Sequence, residues 1–206
     1  EIRKNEIKKQ AIKKKINEEI RRELAEIERK RKEAEKRRLE AARKNGETPK
    51  KNTTTLNDES SEGKISSKKF QNNRGALPWP VGKGSITEKY GKNQHPSLSG
   101  VYTNNNGIDI SCPTNSLVRT IFEGEVTSVF TIPGSGKVVI IKHGNYRTVY
   151  SNLKETTVSK GDKVKTKQKI GTILNENNSL GVLHFELHLV SGTTTKSLNP
   201  SLWIDR

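Results

Sequence analysis

The stretch of this sequence best furnished for chemistry is Gly181-Val182-Leu183-His184-Phe185-Glu186-Leu187-His188-Leu189-Val190. Its apolar, β-favouring composition predicts a strand, on which side chains two apart share a face. Val182, His184, Glu186 and His188 therefore point one way, and Leu183, Phe185, Leu187 and Leu189 the other. A zinc site on such a strand asks for His-x-His, with both imidazoles aimed at one ion, and this chain offers Val182-x-His184. His188 shares the face but lies about 13 Å further along, too far to join a metal at His184. His143 precedes the Gly144-Asn145 turn and His95 precedes Pro96. Neither has ligand spacing, and both read as structural or solvated.

The strand must be held by others. Residues 78–206 read as mainly β, with candidate strands over 117–122, 125–132, 137–143, 147–153, 169–174 and 183–190, and a short one in the 159–164 segment. Pro133-Gly134-Ser135-Gly136 and Gly144-Asn145 supply hairpin turns. Many short strands punctuated by Gly and Asn predict an antiparallel β-sandwich or open barrel of ordinary domain size. Pro78-Trp79-Pro80 makes a stiff, extended lead-in to it.

Residues 1–46 contain neither Gly nor Pro before Gly46 and predict one long helix ended at Asn45-Gly46. Ile12, Ile16, Ile20, Leu24 and Ile27 form a thin apolar stripe that Ala34, Leu39 and Ala42 continue weakly. So narrow a stripe suits a coiled-coil seam, for partner docking or as a spacer, and the alternative is a lone charged helix held by i,i+4 pairs. Residues 47–77 have linker composition, or would form a regulatory arm.

Hydrophobic residues are 29% of the 206-residue chain and charged residues 30%, so packed core cannot run its whole length. The net charge of +16 divides into about +10 over residues 1–77 and about +6 over 78–206, which reads first as a solvated helix and linker. Aromatic residues are scarce beside the basic runs, so no specific nucleic-acid partner is expected. The single Cys112 excludes an internal disulfide framework, and no run approaches a membrane span. With neither signal peptide nor initiator Met, the chain reads as a piece of a longer protein whose export signal lies elsewhere.

Six short runs occur in order: 82–91 (Gly-Lys-Gly-Ser-Ile-Thr-Glu-Lys-Tyr-Gly), Asn105-Asn106-Gly107-Ile108-Asp109, Val149-Tyr150-Ser151-Asn152-Leu153, Lys160-Gly161-Asp162-Lys163-Val164, Ile170-Gly171 and Leu183-His184-Phe185-Glu186. Together they resemble the LytM/lysostaphin-type (peptidase family M23-like) domain, whose members are zinc endopeptidases of peptidoglycan cross-links. The preceding helix and the Leu77-Pro78-Trp79-Pro80 lead-in are similar to EnvC-type murein hydrolase activators. In those proteins a LytM domain has lost catalysis and switches on cell-wall amidases.

The resemblance also states what is missing. The family's His-x-Gly-x-Asp is here Asn105-Asn106-Gly107-Ile108-Asp109, which keeps the metal-binding Asp109 and replaces the His by Asn105. The central catalytic His is Asn152. In the final His-x-His-Phe-Glu the ligand His184 survives and the catalytic His is Val182. A catalytic zinc takes about three protein ligands and a water, and Asp109 and His184 supply two. Neither Asn152 nor Val182 can take a proton from water. Asp109 and His184 are then a hydrogen-bonded pair, a weak metal site or, in a divergent endopeptidase, an active one.

The expectation is a non-catalytic activator without cofactor, located in the periplasmic cell envelope. Its degenerate groove, lined by Tyr102, Asn105, Asp109, Tyr150, Asn152, Val182 and His184, would bind a peptidoglycan amidase during cell separation. As the resemblance implies, the coiled coil would engage a division-linked ABC-transporter-like membrane complex. The alternative is a divergent zinc metalloendopeptidase acting on peptidoglycan cross-links.

Overall fold

The computed structural model describes residues 2–44, 61–94, 100, 102–174 and 180–205, with side chains of the first helix from Gln10 onward. The Asn45-Gly46 helix stop, the 47–60 part of the linker and His95 lie outside the described residues.

Twelve strands follow two helices: α1 (Ile2–Lys44), α2 (Ser61–Asn72), β1 (Ser85–Glu88), β2 (Gly91–Gln94), β3 (Tyr102–Asn105), β4 (Ile108–Cys112), β5 (Leu117–Arg119), β6 (Gly124–Ile132), β7 (Gly136–His143), β8 (Tyr146–Thr156), β9 (Lys163–Val164), β10 (Lys169–Ile173), β11 (Gly181–Ser191) and β12 (Thr194–Leu198). The architecture is mainly antiparallel β with a long N-terminal helix. One ten-stranded sheet runs β1-β4-β11-β8-β7-β6-β9, with β12 on β11 and β10 joining β8 to β5, while β2 and β3 form a separate ribbon. The two long strands change partners along one edge. β8 pairs with β11 from Tyr146 to Ser151 and with β10 from Leu153 to Thr156. β11 pairs with β4 from Gly181 to Phe185 and with β12 from Leu187 to Ser191.

Alternation on β11 sorts its residues onto the two faces. Leu183, Phe185 and Leu187 enter the main core with Ile108, Ile110, Tyr150, Leu153 and Ile173. Val190, on the opposite face, joins Val138, Ile140 and Val149 in a second core. That second core is closed by α1, whose Ile12, Ile16, Ile20 and Leu24 are all buried on the sheet. Each such side chain contributes roughly 1.5–3 kcal/mol when removed from water. The stripe assigned to a coiled-coil seam is therefore occupied within the chain. A sheet face fits it as well as a second helix does, because an i,i+4,i+8,i+12 row is straight enough for either. Ion pairs flank the contact: Glu23 Oε1 lies 2.7 Å from Arg147 Nη2, and Glu26 Oε2 lies 3.1 Å from Lys160 Nζ. Beyond Ile27 the helix projects largely exposed.

The folded unit begins before Pro78. α2 sends Phe70, fully buried, against Phe122, His143, Tyr146 and Trp203 with ring centroids 4.8–5.4 Å away. Ser67 Oγ accepts from Asn145 N at 2.8 Å, and α2 sits so close to Gly144 that a Cβ there would collide with Ser67 and the Gly63 carbonyl. Residues 61–77 are thus a strut under the β7–β8 hairpin rather than linker or an arm beside the groove. One aromatic in a polar segment gave no periodicity from which to read this. The lead-in is fastened to the C-terminus: Leu77 N donates to Trp203 O, Asp205 N donates to Leu77 O, and Trp79 Nε1 donates to Asp205 O at 2.9 Å.

Candidate functional site

Strand register brings the surviving pair together. His184 lies directly opposite Asp109 on the β11–β4 ladder and opposite Ser151 on the β11–β8 ladder. In antiparallel pairing, opposed side chains project from the same face. His184 Nδ1 therefore meets Asp109 Oδ1 at 2.6 Å. The other ring nitrogen, Nε2, meets Glu186 Oε1 at 2.8 Å, and Glu186 Oε2 lies 2.5 Å from His188 Nε2. The result is a chain, Asp109–His184–Glu186–His188, along one face of β11. Glu186 connects the two histidines that direct distance keeps apart, a role that the shared face of the three residues signals but that sequence reasoning did not assign.

The electrostatics follow from that chain. Burial opposes charge on His184, yet its hydrogen bonds to Asp109 and Glu186 outweigh burial and push its pKa up to about 10. Burial likewise favours neutral Glu186, but its bonds to His184 and His188 hold its carboxyl well below the usual carboxylate range. Both His184 nitrogens thus face carboxylates, and the imidazole is a cation between them at neutral pH.

The altered positions are built into the backbone. Gly107 passes so close to β11 that a Cβ would collide with the Phe185 carbonyl, which explains a glycine between Asn105 and Asp109. Asn105 is buried, and its Oδ1 accepts from Gly107 N at 3.0 Å. Its Nδ2 has no hydrogen-bond partner among the described residues. Asn152 takes a left-handed backbone (φ 65°) where β8 changes partner from β11 to β10. Its Nδ2 donates to Val182 O at 3.2 Å. A metal at this site would find Asp109 and His184 with the amides of Asn105 and Asn152 beside them, and Asn105 turns its oxygen to its own loop. Among the described residues no three His, Cys, Asp or Glu side chains form a metal-holding group. This donor set does not fit a catalytic zinc.

A cavity of about 70 Å³ opens here. Asn105, Asp109, Asn152, His184 and Glu186 line it from the sheet. Gln10, Ile12 and Lys13 of α1 form the facing wall, which no sequence signal pointed to. Three expected groove residues lie elsewhere. Tyr150 is fully buried, with its ring 5.2 Å from Phe185 and its OH accepting from Ile121 N at 3.0 Å. The left-handed turn at Asn152 breaks the alternation that would have put both residues on one face. Tyr102 is 52% exposed on β3 beneath Lys92 Nζ, outside the cavity. Val182 is half-buried and is not among the residues lining the cavity, and its carbonyl accepts from Asn152 Nδ2.

Residues 103–200, from β3 to the start of the final turn, match the family model for Peptidase family M23. The β domain is similar to M23, LytM-type domains. It resembles Csd3 of Helicobacter pylori, with TM-score 0.52 and 28% identity over 63% of this chain and 35% of that one. It also resembles a zinc-containing peptidase from Vibrio cholerae, with TM-score 0.51 and 28% identity over 65% and 41% of the two chains. Among curated proteins it is 35% identical over 110 residues to the peptidoglycan DD-endopeptidase ShyA of Vibrio cholerae, covering 52% of this chain and 25% of that one. It is 25% identical over 157 residues to the cell division protein DipM of Caulobacter vibrioides, covering 72% and 24%. The chain spans about a quarter of the length of these two relatives. M23 domains are linked to peptidoglycan hydrolysis.

Proposed function

We propose that this domain is a non-catalytic M23-type domain and that it binds a peptidoglycan amidase and switches it on. The observation that carries the reading is the state of His184: the retained ligand is held by two carboxylates, while Asn105, Asn152 and Val182 stand where the other imidazoles belong. The Asp109 and Glu186 carboxylates in the cavity are engaged with His184, which leaves no free imidazole there to serve as third ligand or base. The cavity and the adjoining face under α1 are instead a partner surface. Because Gln10, Ile12 and Lys13 wall the cavity, a partner entering it must displace the start of α1. A signal reaching α1, from a division-linked ABC-transporter-like membrane complex in the periplasmic envelope, would then set access. The similarity to a relative named as a cell division protein supports this setting.

The test incubates the chain with each peptidoglycan amidase of the source organism and with dye-labelled sacculi. Binding and faster dye release are expected. Absence of both removes the proposal.

A divergent metallopeptidase is the second reading, favoured by retained Asp109 and His184 and by similarity to an endopeptidase. Stoichiometric zinc, with cleavage of cross-links that His184→Ala abolishes, would establish it instead.

A further inference from the structure

A second concave site lies apart from the cavity, where β5 pairs with β10. It is a cleft of about 500 Å³, the volume of a drug-sized ligand, formed by the Gly82-Lys83 loop, the Pro113–Ser116 segment, β5 and the turn leading into β10. Lys83, Arg119, Lys167 and Lys169 line it, and among the described residues no Asp or Glu does. Three of the four are exposed lysines. The fourth is positioned: Arg119 Nε donates to Trp79 O at 3.0 Å and Nη2 to Val81 O at 3.5 Å.

Two features set this cleft apart from scattered surface charge. Lys169 lies directly opposite Arg119 on the β10–β5 ladder. Like charges at opposed positions destabilise a sheet, so the folded domain holds a repulsion that a bound anion relieves. Lys167 adopts a left-handed backbone (φ 65°), a conformation that Gly or Asn takes at lower cost, and its amide donates to Thr120 O at 2.9 Å. A lysine is thus placed beside the other cations where a smaller residue would suit the turn better. At the mouth Leu117 is 54% exposed, an apolar surface among cations. None of the lining residues is aromatic, so the cleft lacks the stacking platform of a single-strand nucleic-acid site.

We propose that this cleft binds an anionic glycan, a sugar chain bearing repeated phosphate or carboxylate groups, with the four cations on its charges and Leu117 on its apolar sugar edge. The site would hold the chain on such a polymer while leaving the cavity and α1 free, so it is independent of the amidase reading. Phosphomannan and polygalacturonate serve as phosphate and carboxylate probes, with single-stranded DNA of equal charge as the contrast. Wild-type chain is expected to bind one or both glycans more tightly than the DNA. Their relative affinity shows which anion the cleft prefers. K83E/K167E/K169E should weaken glycan binding at least tenfold and flatten the dependence of log K on log salt by about two to three. R29E/K36E/R43E, on the projecting part of α1, should change it less than twofold. Thermal unfolding of the triple variant separates loss of binding from loss of fold, and K169E alone, which places an acid opposite Arg119, should keep the fold while weakening binding; K169Q provides a milder check. Unchanged binding in the cleft variant, loss in the α1 variant, or tighter binding to DNA overturns the proposal.

Discussion

Asp109 and His184 face each other across the β4–β11 ladder with Oδ1 and Nδ1 2.6 Å apart. The resemblance to M23 domains implies that these side chains would share a metal; here the His184 imidazolium bonds Asp109, with Glu186 on its other nitrogen.

Removing that cation leaves two carboxylates facing each other in a largely buried site. His184→Gln should therefore destabilise the domain by about 3 kcal/mol at pH 7, measured by urea unfolding. The pH dependence has a definite sign. The folded pKa of His184, about 10, lies above its ordinary value of 6.5. Its contribution is thus complete below about pH 6.5 and is lost as pH rises toward 10. Wild type should lose stability across that window, and His184→Gln should lose less.

His143 gives the opposite trend. It is fully buried, Nδ1 lies 2.6 Å from Glu123 O, Nε2 lies 2.9 Å from Thr148 Oγ1, and its ring stacks on Phe70 of α2. Burial pushes its pKa down to about 4. Its neutral form therefore stabilises the fold above pH 6.5, and that contribution is lost as pH falls toward 4. Trp203 fluorescence, reporting the same aromatic cluster, should follow the loss. His143→Gln should reduce the slope over that range.

Arg147 is 2% exposed and bonds Glu23 through Nε and Nη2, while Nη1 donates to the Gly144 and Tyr146 carbonyls. Glu23→Gln leaves a buried guanidinium without its counter-charge and should weaken the α1 contact by about 3 kcal/mol. Hydrogen exchange over α1 should accelerate accordingly. Glu23→Leu with Arg147→Met should restore much of the protection, because an apolar pair removes both desolvated charges.

Ile16 and Ile20 are each 1% exposed beneath α1. Truncating either to Ala should cost about 2–5 kcal/mol of docking. If α1 limits access to the cavity, the double variant should bind the amidase more tightly than wild type in a pull-down. Equal or weaker binding would show that α1 is part of the partner surface rather than its cover.

Asn105→His supplies the imidazole that the donor set lacks. The variant should bind zinc at least tenfold more tightly than wild type by calorimetry, with the gain removed by Asp109→Ala.

The sequence by itself determined the β character of the C-terminal domain and the two faces of β11. These depend on local alternation and on residue type, which survive any tertiary arrangement. β6, β7, β8, β10 and β11 were legible because apolar runs and turn residues bound them. β1 to β3 and β12 were not, because they are short, largely polar and formed by pairing with neighbours rather than by pattern, and β4, whose Ile108, Ile110 and Cys112 do alternate, is only five residues long. Tertiary structure alone decided what α1 covers, since a narrow apolar stripe does not say whether its partner is a helix or a sheet. It alone moved Tyr150 into the core while Asn152 stayed at the cavity, through one left-handed residue that period-two reasoning cannot anticipate. It also linked His188 to His184, because a carboxylate reaches both histidines across a spacing that neither imidazole can span.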